Sequence, residues 1–156
     1  MIAPVLSVHV RIVMDTSVLY QALRSAHGAS NVILRMIGEG RLELAVSTGV
    51  FEEYRAVLSR KASLVDLGLT KKDVDGVLEF IAYICVPVTI HYGLRPNLRD
   101  EDDNMFVELA FASQCRYLVT SNTRDFLSGD LKFDSFETVT SAEFVRVWRK
   151  THENEK

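Results

Sequence analysis

"RIVMDTSVLYQALRS", residues 11–25, contains the change of pattern on which the fold turns. Ile12, Val13 and Met14 form a short apolar run that reads as a buried strand, and "VLSVHV" before it can begin the strand earlier. The run ends in an acid, Asp15, and helical spacing starts at once in "SVLYQALRS". A strand that passes directly into a helix is half of a β-α unit. The carboxylate between them has two readings. It can cap the helix, which is worth about 1 kcal/mol. It can also be a group held at the mouth of a dry sheet.

Outward from this unit the same alternation recurs. "GASNVILRMIGEG" (28–40) predicts a second helix, with Ser30 as N-cap and Gly38 and Gly40 as its stop. "LELAVS" (42–47) predicts a strand, and Ser47 caps a helix over "GVFEEYRAVLSRKA" (49–62). "LTKKDVDGVLEFIAYIC" (69–85) predicts another helix with Thr70 at its N-cap. "VPVTI" (86–90) reads as an edge strand because Pro87 cannot donate to a ladder. After the loop "HYGLRPNLR" (91–99) comes a helix opened by Asp100 to Asp103. "RYLVTS" (116–121) and "FETVT" (136–140) are strands, and "SAEFVRVWRK" (141–150) is a last helix capped by Ser141. Strands alternating with helices imply parallel crossovers. The expected architecture is a three-layer α/β/α fold with a central, mainly parallel sheet. Residues 1–150 are expected to form one domain, with 151–156 as a frayed tail.

The chain has 156 residues, 47 % hydrophobic and 25 % charged, which suits one globular domain with a substantial core. Its formal net charge of -3 argues against a strongly basic nucleic-acid binder, though a local basic patch can hide in that average. Two cysteines, Cys85 and Cys115, make no disulfide framework and no CxxC pair. Cys85, in "FIAYICVPV", reads as core. No apolar run approaches the roughly 20 residues that span a bilayer, and the start has no basic n-region. A cytoplasmic location without membrane attachment is expected.

In doubly wound sheets, sites form beyond the carboxyl ends of the strands. Several acids fall there or nearby. Glu53 shares the inward face of its helix with Val50 and Val57, whereas Glu52 aligns with the solvent side. An inward carboxylate is costly unless it is paired or metal-bound. Asp100 suits the N-cap and Asp103 falls near N3, where the helix dipole favours an acid by about 0.3–1 kcal/mol. Asp103 lies on the face of Phe106, Val107 and Ala110. Spacing does not exclude Asp102, while Glu101 looks exposed. Ser121, Asn122 and Asp125 follow the strand "RYLVT", with turn chemistry as the plain alternative for Asn122. Carboxylates brought together from distant segments raise one another's pKa or recruit a cation. No His/Cys cluster offers a zinc site, so all-oxygen ligands point to a hard ion, Mg²⁺ or Mn²⁺. Such ions, one or in pairs, serve phosphodiester cleavage.

"VMDTSVLYQALRS", "GASNVILRMIGEGRLELAVSTGVFEEYRAVLSR", "RDEDDNMFVELAFASQCRYLVTSNTRDF" and "FETVTSAEFV" together resemble a PIN-domain ribonuclease, in the branch of toxin–antitoxin toxins related to VapC. The resemblance covers about residues 11–148. It implies a metal-dependent endoribonuclease in which Asp15, Glu53, Asp103 and Asp125 hold one or two Mg²⁺ or Mn²⁺ ions. Asp100 is the first acid of the family's "DxxD" pair. Thr120, Ser121 and Asn122 would position water or phosphate near the metal. Ser17 stands where many relatives carry Asn, and Asn122 where this branch often carries an acid, which puts the second ion in question. The implied partners are RNA and an antitoxin protein.

Arg24, Arg55, Arg60 and Lys61 flank the acids and are candidates to steer an RNA backbone, with ordinary solvated charge as their alternative. The stripes "VILRMI" and "FIAYIC" are read as core first, and then as seats for an antitoxin segment or a second copy of the chain. A dehalogenase-like phosphatase needs an acid where Ser17 stands, and four adjacent acids are not the dispersed pattern of a DEDD exonuclease. The remaining alternative is a PIN fold with weakened catalysis that binds RNA or protein.

Overall fold

The computed structural model describes residues 9–91, 101–124 and 135–152, with the backbone alone for 101–103. Among the described residues, five strands form one sheet: β1 (Val10–Met14), β2 (Leu42–Val46), β3 (Val86–Pro87), β4 (Tyr117–Val119) and β5 (Glu137–Val139). Their order is β3-β2-β1-β4-β5 and every pairing is parallel. β1 is central, with Ile12 opposite Leu44 on one side and Tyr117 on the other. Ile12, Val13 and Met14 are each fully buried, as expected for a parallel strand covered on both faces.

Around the sheet lie the helices α1 (Thr16–Arg24), α2 (Ala29–Gly38), α3 (Thr48–Leu58), α4 (Lys61–Leu67), α5 (Lys71–Ile84), α6 (Glu101–Ser113) and α7 (Ser141–His152). α2 packs on α1 and α7, while α6 lies against β1, β2 and β4, giving three α/β/α layers. Connections from β1 run outward to β2 and β3, and the chain then returns to the other side of β1 for β4 and β5. The reversal falls between β1 and β4. Such a switch point opens a crevice at the strands' carboxyl ends.

Several local expectations hold. Ser47 Oγ accepts the Val50 N–H at 3.2 Å and caps α3. Thr70 and Asp73 form a reciprocal capping box at the start of α5. Pro87 sits on the edge strand, which is shorter than 86–90. Gly40, at φ +75°, closes the turn after α2 in a conformation that a Cβ would strain.

Other expectations need correction. Ser30 is not an N-cap. Gly28 holds that position, and the Ser30 hydroxyl meets the Ser141 hydroxyl at 2.8 Å. Ser141 is likewise not the cap of α7. Thr140 takes that role: its hydroxyl accepts the Glu143 N–H at 3.1 Å, and the Glu143 carboxylate accepts the Thr140 N–H at 3.4 Å. The single helix expected over 49–62 is two. α3 ends at Leu58, and α4 turns away to pack on α1, where Tyr20 donates its hydroxyl hydrogen bond to Asp66. Cys85 is half-buried at the end of α5, whereas Cys115 is buried. Among the described residues, no helix is long and apolar enough to cross a membrane.

Candidate functional site

At the β1/β4 switch point the polar groups gather around Asp15. The ladder runs one residue past β1, since the Asp15 N–H donates to the Val119 carbonyl at 2.9 Å. Asp15 then stands at the N-cap position of α1 with extended backbone angles, and its carbonyl accepts the Val18 and Leu19 N–H groups. Its side chain caps nothing. Ser17 Oγ donates to Asp15 Oδ2 at 2.8 Å and Thr120 Oγ1 donates to the same oxygen at 2.7 Å. The capping reading of this carboxylate therefore fails.

The two hydroxyls have their polarity set by the backbone. Ser17 Oγ accepts the Ser121 N–H at 3.4 Å, and Thr120 Oγ1 accepts the Asn122 N–H at 3.1 Å. Each hydroxyl has one proton, and each gives it to Asp15. Asp15 is only 8 % exposed and Thr120 is fully buried. Hydrogen bonds to an ionised group are the stronger kind, about 1.5–3 kcal/mol each. They are still neutral donors, and among the described residues no Lys or Arg pairs with Asp15. The ion pairs formed are Arg11–Glu43, Arg24–Asp66, Arg41–Glu39 and Arg55–Glu52. Thr16, beside Asp15 in sequence, is also buried, and among the described residues its hydroxyl oxygen has no hydrogen-bond partner.

α3 reaches this edge through Tyr54. Its buried hydroxyl donates to the carbonyl of Met14, the residue before Asp15. Burial, and after it the Asp15 charge, hold the Tyr54 phenol far above its ordinary pKa. Glu53 precedes this anchor and is half-buried, while Glu52 is exposed and faces Arg55 at 3.7 Å. The sequence expectation for this pair of faces agrees with the structure. α3 also packs against α6, whose first turn carries Asp103 in its backbone. Next to it, Asn104 is buried at 5 % exposure. Asn104 and Thr16 were not singled out from the sequence. A carboxamide directly ahead of the apolar run from Met105 was the available signal for the first.

The structure thus joins Asp15, Ser17, Thr120, Ser121 and Asn122 in one hydrogen-bond network, with Glu53 on a helix anchored beside it. Asp100 and Asp125 lie outside the described residues, and the side chain of Asp103 does too. Arg24 and Arg55 are not in the network. Arg24 ends α1, about 13 Å along the helix from Asp15, and faces Asp66 at 3.9 Å. Arg55 lies over the Phe51 ring at 5.2 Å, on the outer side of α3.

A hard divalent cation fits the chemistry of these donors. A buried carboxylate held by two hydroxyls, with no cation partner among the described residues, favours Mg²⁺ or Mn²⁺ over a soft metal. Among the described side chains, no three His, Cys, Asp or Glu groups stand together. The side chains of Asp103 and Asp125, expected from the sequence as ligands, are not among those described.

Residues 11–124 match the sequence model of the PIN domain, which stops one residue short of Asp125. No curated protein matches the chain. Among solved structures it is similar to a chain in the crystal structure of VapBC2 from Rickettsia felis bound to a DNA fragment from their promoter. The TM-score is 0.58 at 14 % identity, covering 83 % of this chain and 98 % of that one. At that identity the likeness is one of fold, whereas the sequence match spans most of the chain. The chain belongs to the PIN domain family.

Proposed function

We propose that this protein is a metal-dependent endoribonuclease that hydrolyses phosphodiester bonds in single-stranded or looped RNA, and that it is the toxin of a toxin–antitoxin pair. The observation that carries the reading is the buried Asp15 carboxylate at the β1/β4 switch point. Two hydroxyls hold it, and no cation neutralises it among the described residues. Asp15, Glu53, Asp103 and Asp125 would hold one or two Mg²⁺ or Mn²⁺ ions. When bound, such an ion lowers the pKa of water and offsets charge on a phosphate.

The chain's own residues do the positioning. Ser17 and Thr120 fix the rotamer of Asp15. The hydroxyl of Ser17 therefore has a defined task at this position. The Ser121 and Asn122 N–H groups orient those hydroxyls, and the loop that carries them flanks the scissile phosphate. Tyr54 keeps α3, and with it Glu53, against the end of β1.

The likeness to VapBC2 supports an antitoxin partner for this chain; the proposed place of action is the cytoplasm. RNA cleavage by the wild type in Mn²⁺ is expected, with loss in EDTA and in Asp15→Asn and Asp103→Asn. Induction of the wild-type chain alone should arrest growth, and Asp15→Asn should not. Equal cleavage by all three proteins, or cleavage indifferent to EDTA, refutes the nuclease. RNA held without turnover at saturating Mn²⁺ assigns the fold to binding instead. Light scattering shows whether the chain pairs with itself.

A further inference from the structure

A cleft of about 400 Å³ runs between α2 and α7, away from the Asp15 network. Its floor is Ala29, Ala142 and Val145, and its wall is Arg146, Arg149 and Lys150. The three cations stand at i, i+3 and i+4, so one helix face presents them together. All three are exposed. Among the described residues none of them pairs with a carboxylate, in contrast to Arg11, Arg24, Arg41 and Arg55. The single acid of α7, Glu143, is turned back onto the Thr140 N–H. A helix dipole favours cations in the last turn, where Arg149 and Lys150 lie. Arg146 stands a turn earlier, so the dipole does not account for it. α2 opens beside the cleft at Gly28 without a side-chain cap, and the positive end of its dipole adds to the same region.

The cleft is also placed relative to the site. Thr120, which holds Asp15, donates its N–H to the Val139 carbonyl at 3.0 Å, and α7 begins two residues after Val139. The Ser30–Ser141 contact fastens that start to α2. From Ala142 at the carboxyl edge of the sheet to Lys150 is about 12 Å along the helix.

We propose that this α2/α7 cleft binds the phosphate backbone of the RNA substrate, a second contact that holds the strand leading away from the Asp15 edge. The inference rests on the ribonuclease reading for the identity of the polyanion. Each phosphate neutralised on a single strand contributes about 0.7 to the slope of log affinity against log salt.

The test is binding of a short fluorescein-labelled single-stranded RNA, read by anisotropy in EDTA so that no turnover enters. Arg146→Glu/Arg149→Glu is compared with Lys71→Glu/Lys72→Glu, a matched charge change at the exposed start of α5, and circular dichroism confirms that both fold. At low salt the first variant is expected to bind about ten-fold or more weakly, with a slope reduced by roughly 1.4, and the second close to wild type. Equal binding by wild type and the α7 variant overturns the proposal. So does an equal loss in both variants, or no RNA binding by the wild type. Polyglutamate bound as tightly as RNA would assign the cleft to an acidic protein segment instead. If the wild type binds RNA through α7 but never cleaves it in Mn²⁺, the nuclease reading fails and this contact stands. If it cleaves while the α7 variant binds unchanged, the contact fails alone.

Discussion

Thr120 Oγ1 donates a 2.7 Å hydrogen bond to Asp15 Oδ2, from a residue 105 positions later in the chain. The bond crosses from β4 to β1 at the reversal of strand order, and both partners are buried. Thr120 is a positioning residue: it sets where the carboxylate points. Thr120→Val keeps the shape and removes the donor. RNA cleavage should fall at least about ten-fold in kcat with KM nearly unchanged, and Tm should drop for a loss of roughly 1.5–3 kcal/mol. Thr120→Ser restores the donor and should recover most of the rate. A valine variant with wild-type kcat would remove Thr120 from the site.

Asp15→Asn separates folding from ion binding. The mutation replaces a buried charge that has no cation partner among the described residues, so the metal-free protein should keep its Tm or gain slightly. A ligand that binds only the native state raises stability with concentration. The wild type should therefore gain Tm as Mn²⁺ is added, and the variant should gain little. Identical Mn²⁺ shifts in thermal melts of the two proteins would exclude Asp15 as a ligand.

Tyr54→Phe leaves the Met14 carbonyl, deep in the core, without its donor. A loss of about 1–3 kcal/mol is expected from chemical denaturation. The same residue shapes the alkaline limb of stability. Burial raises the native phenol far above the unfolded value, so the unfolded chain gives up its proton first. Stability from this group is complete below about pH 10 and declines as pH rises beyond it. The phenylalanine variant should lose that part of the slope. An unchanged alkaline slope would show that Tyr54 titrates freely in the folded protein.

The two thiols should differ in reactivity. Burial pushes the Cys115 thiol up to about 11, and the thiolate is the reactive form. Cys85 is half-buried, and desolvation raises it too. In native buffer a thiol reagent should modify Cys85 slowly and leave Cys115 untouched until unfolding. Mass spectrometry of the labelled peptides reads this directly, and early labelling of Cys115 would contradict its burial.

Much of this protein is written locally. The apolar runs at 12–14, 44–46 and 117–119 lie in the three inner strands, because a parallel strand covered on both faces favours continuous apolar sequence, and the charges just before the first two runs, Arg11 and Glu43, pair with each other. Ser47 and Thr70 cap their helices, since a cap needs only its own first turn. Periodicity also separated half-buried Glu53 from exposed Glu52.

Contacts between distant segments were decided by the tertiary structure. Ser30 and Ser141 each looked like a cap, yet packing of α2 on α7 turned their hydroxyls toward each other and left capping to Gly28 and Thr140. The break after Leu58 follows from the docking of α4 on α1, which no local pattern encodes. Arg24 met Asp66 only because α1 and α4 are neighbours. Above all, the sequence supplied Asp15, Ser17 and Thr120 as separate polar residues at strand ends. Only the strand order placed β4 beside β1, and a hydrogen bond needs atoms within about 3 Å. Residue type and period fix which face a side chain occupies, whereas the partner on that face is fixed by which strands become neighbours.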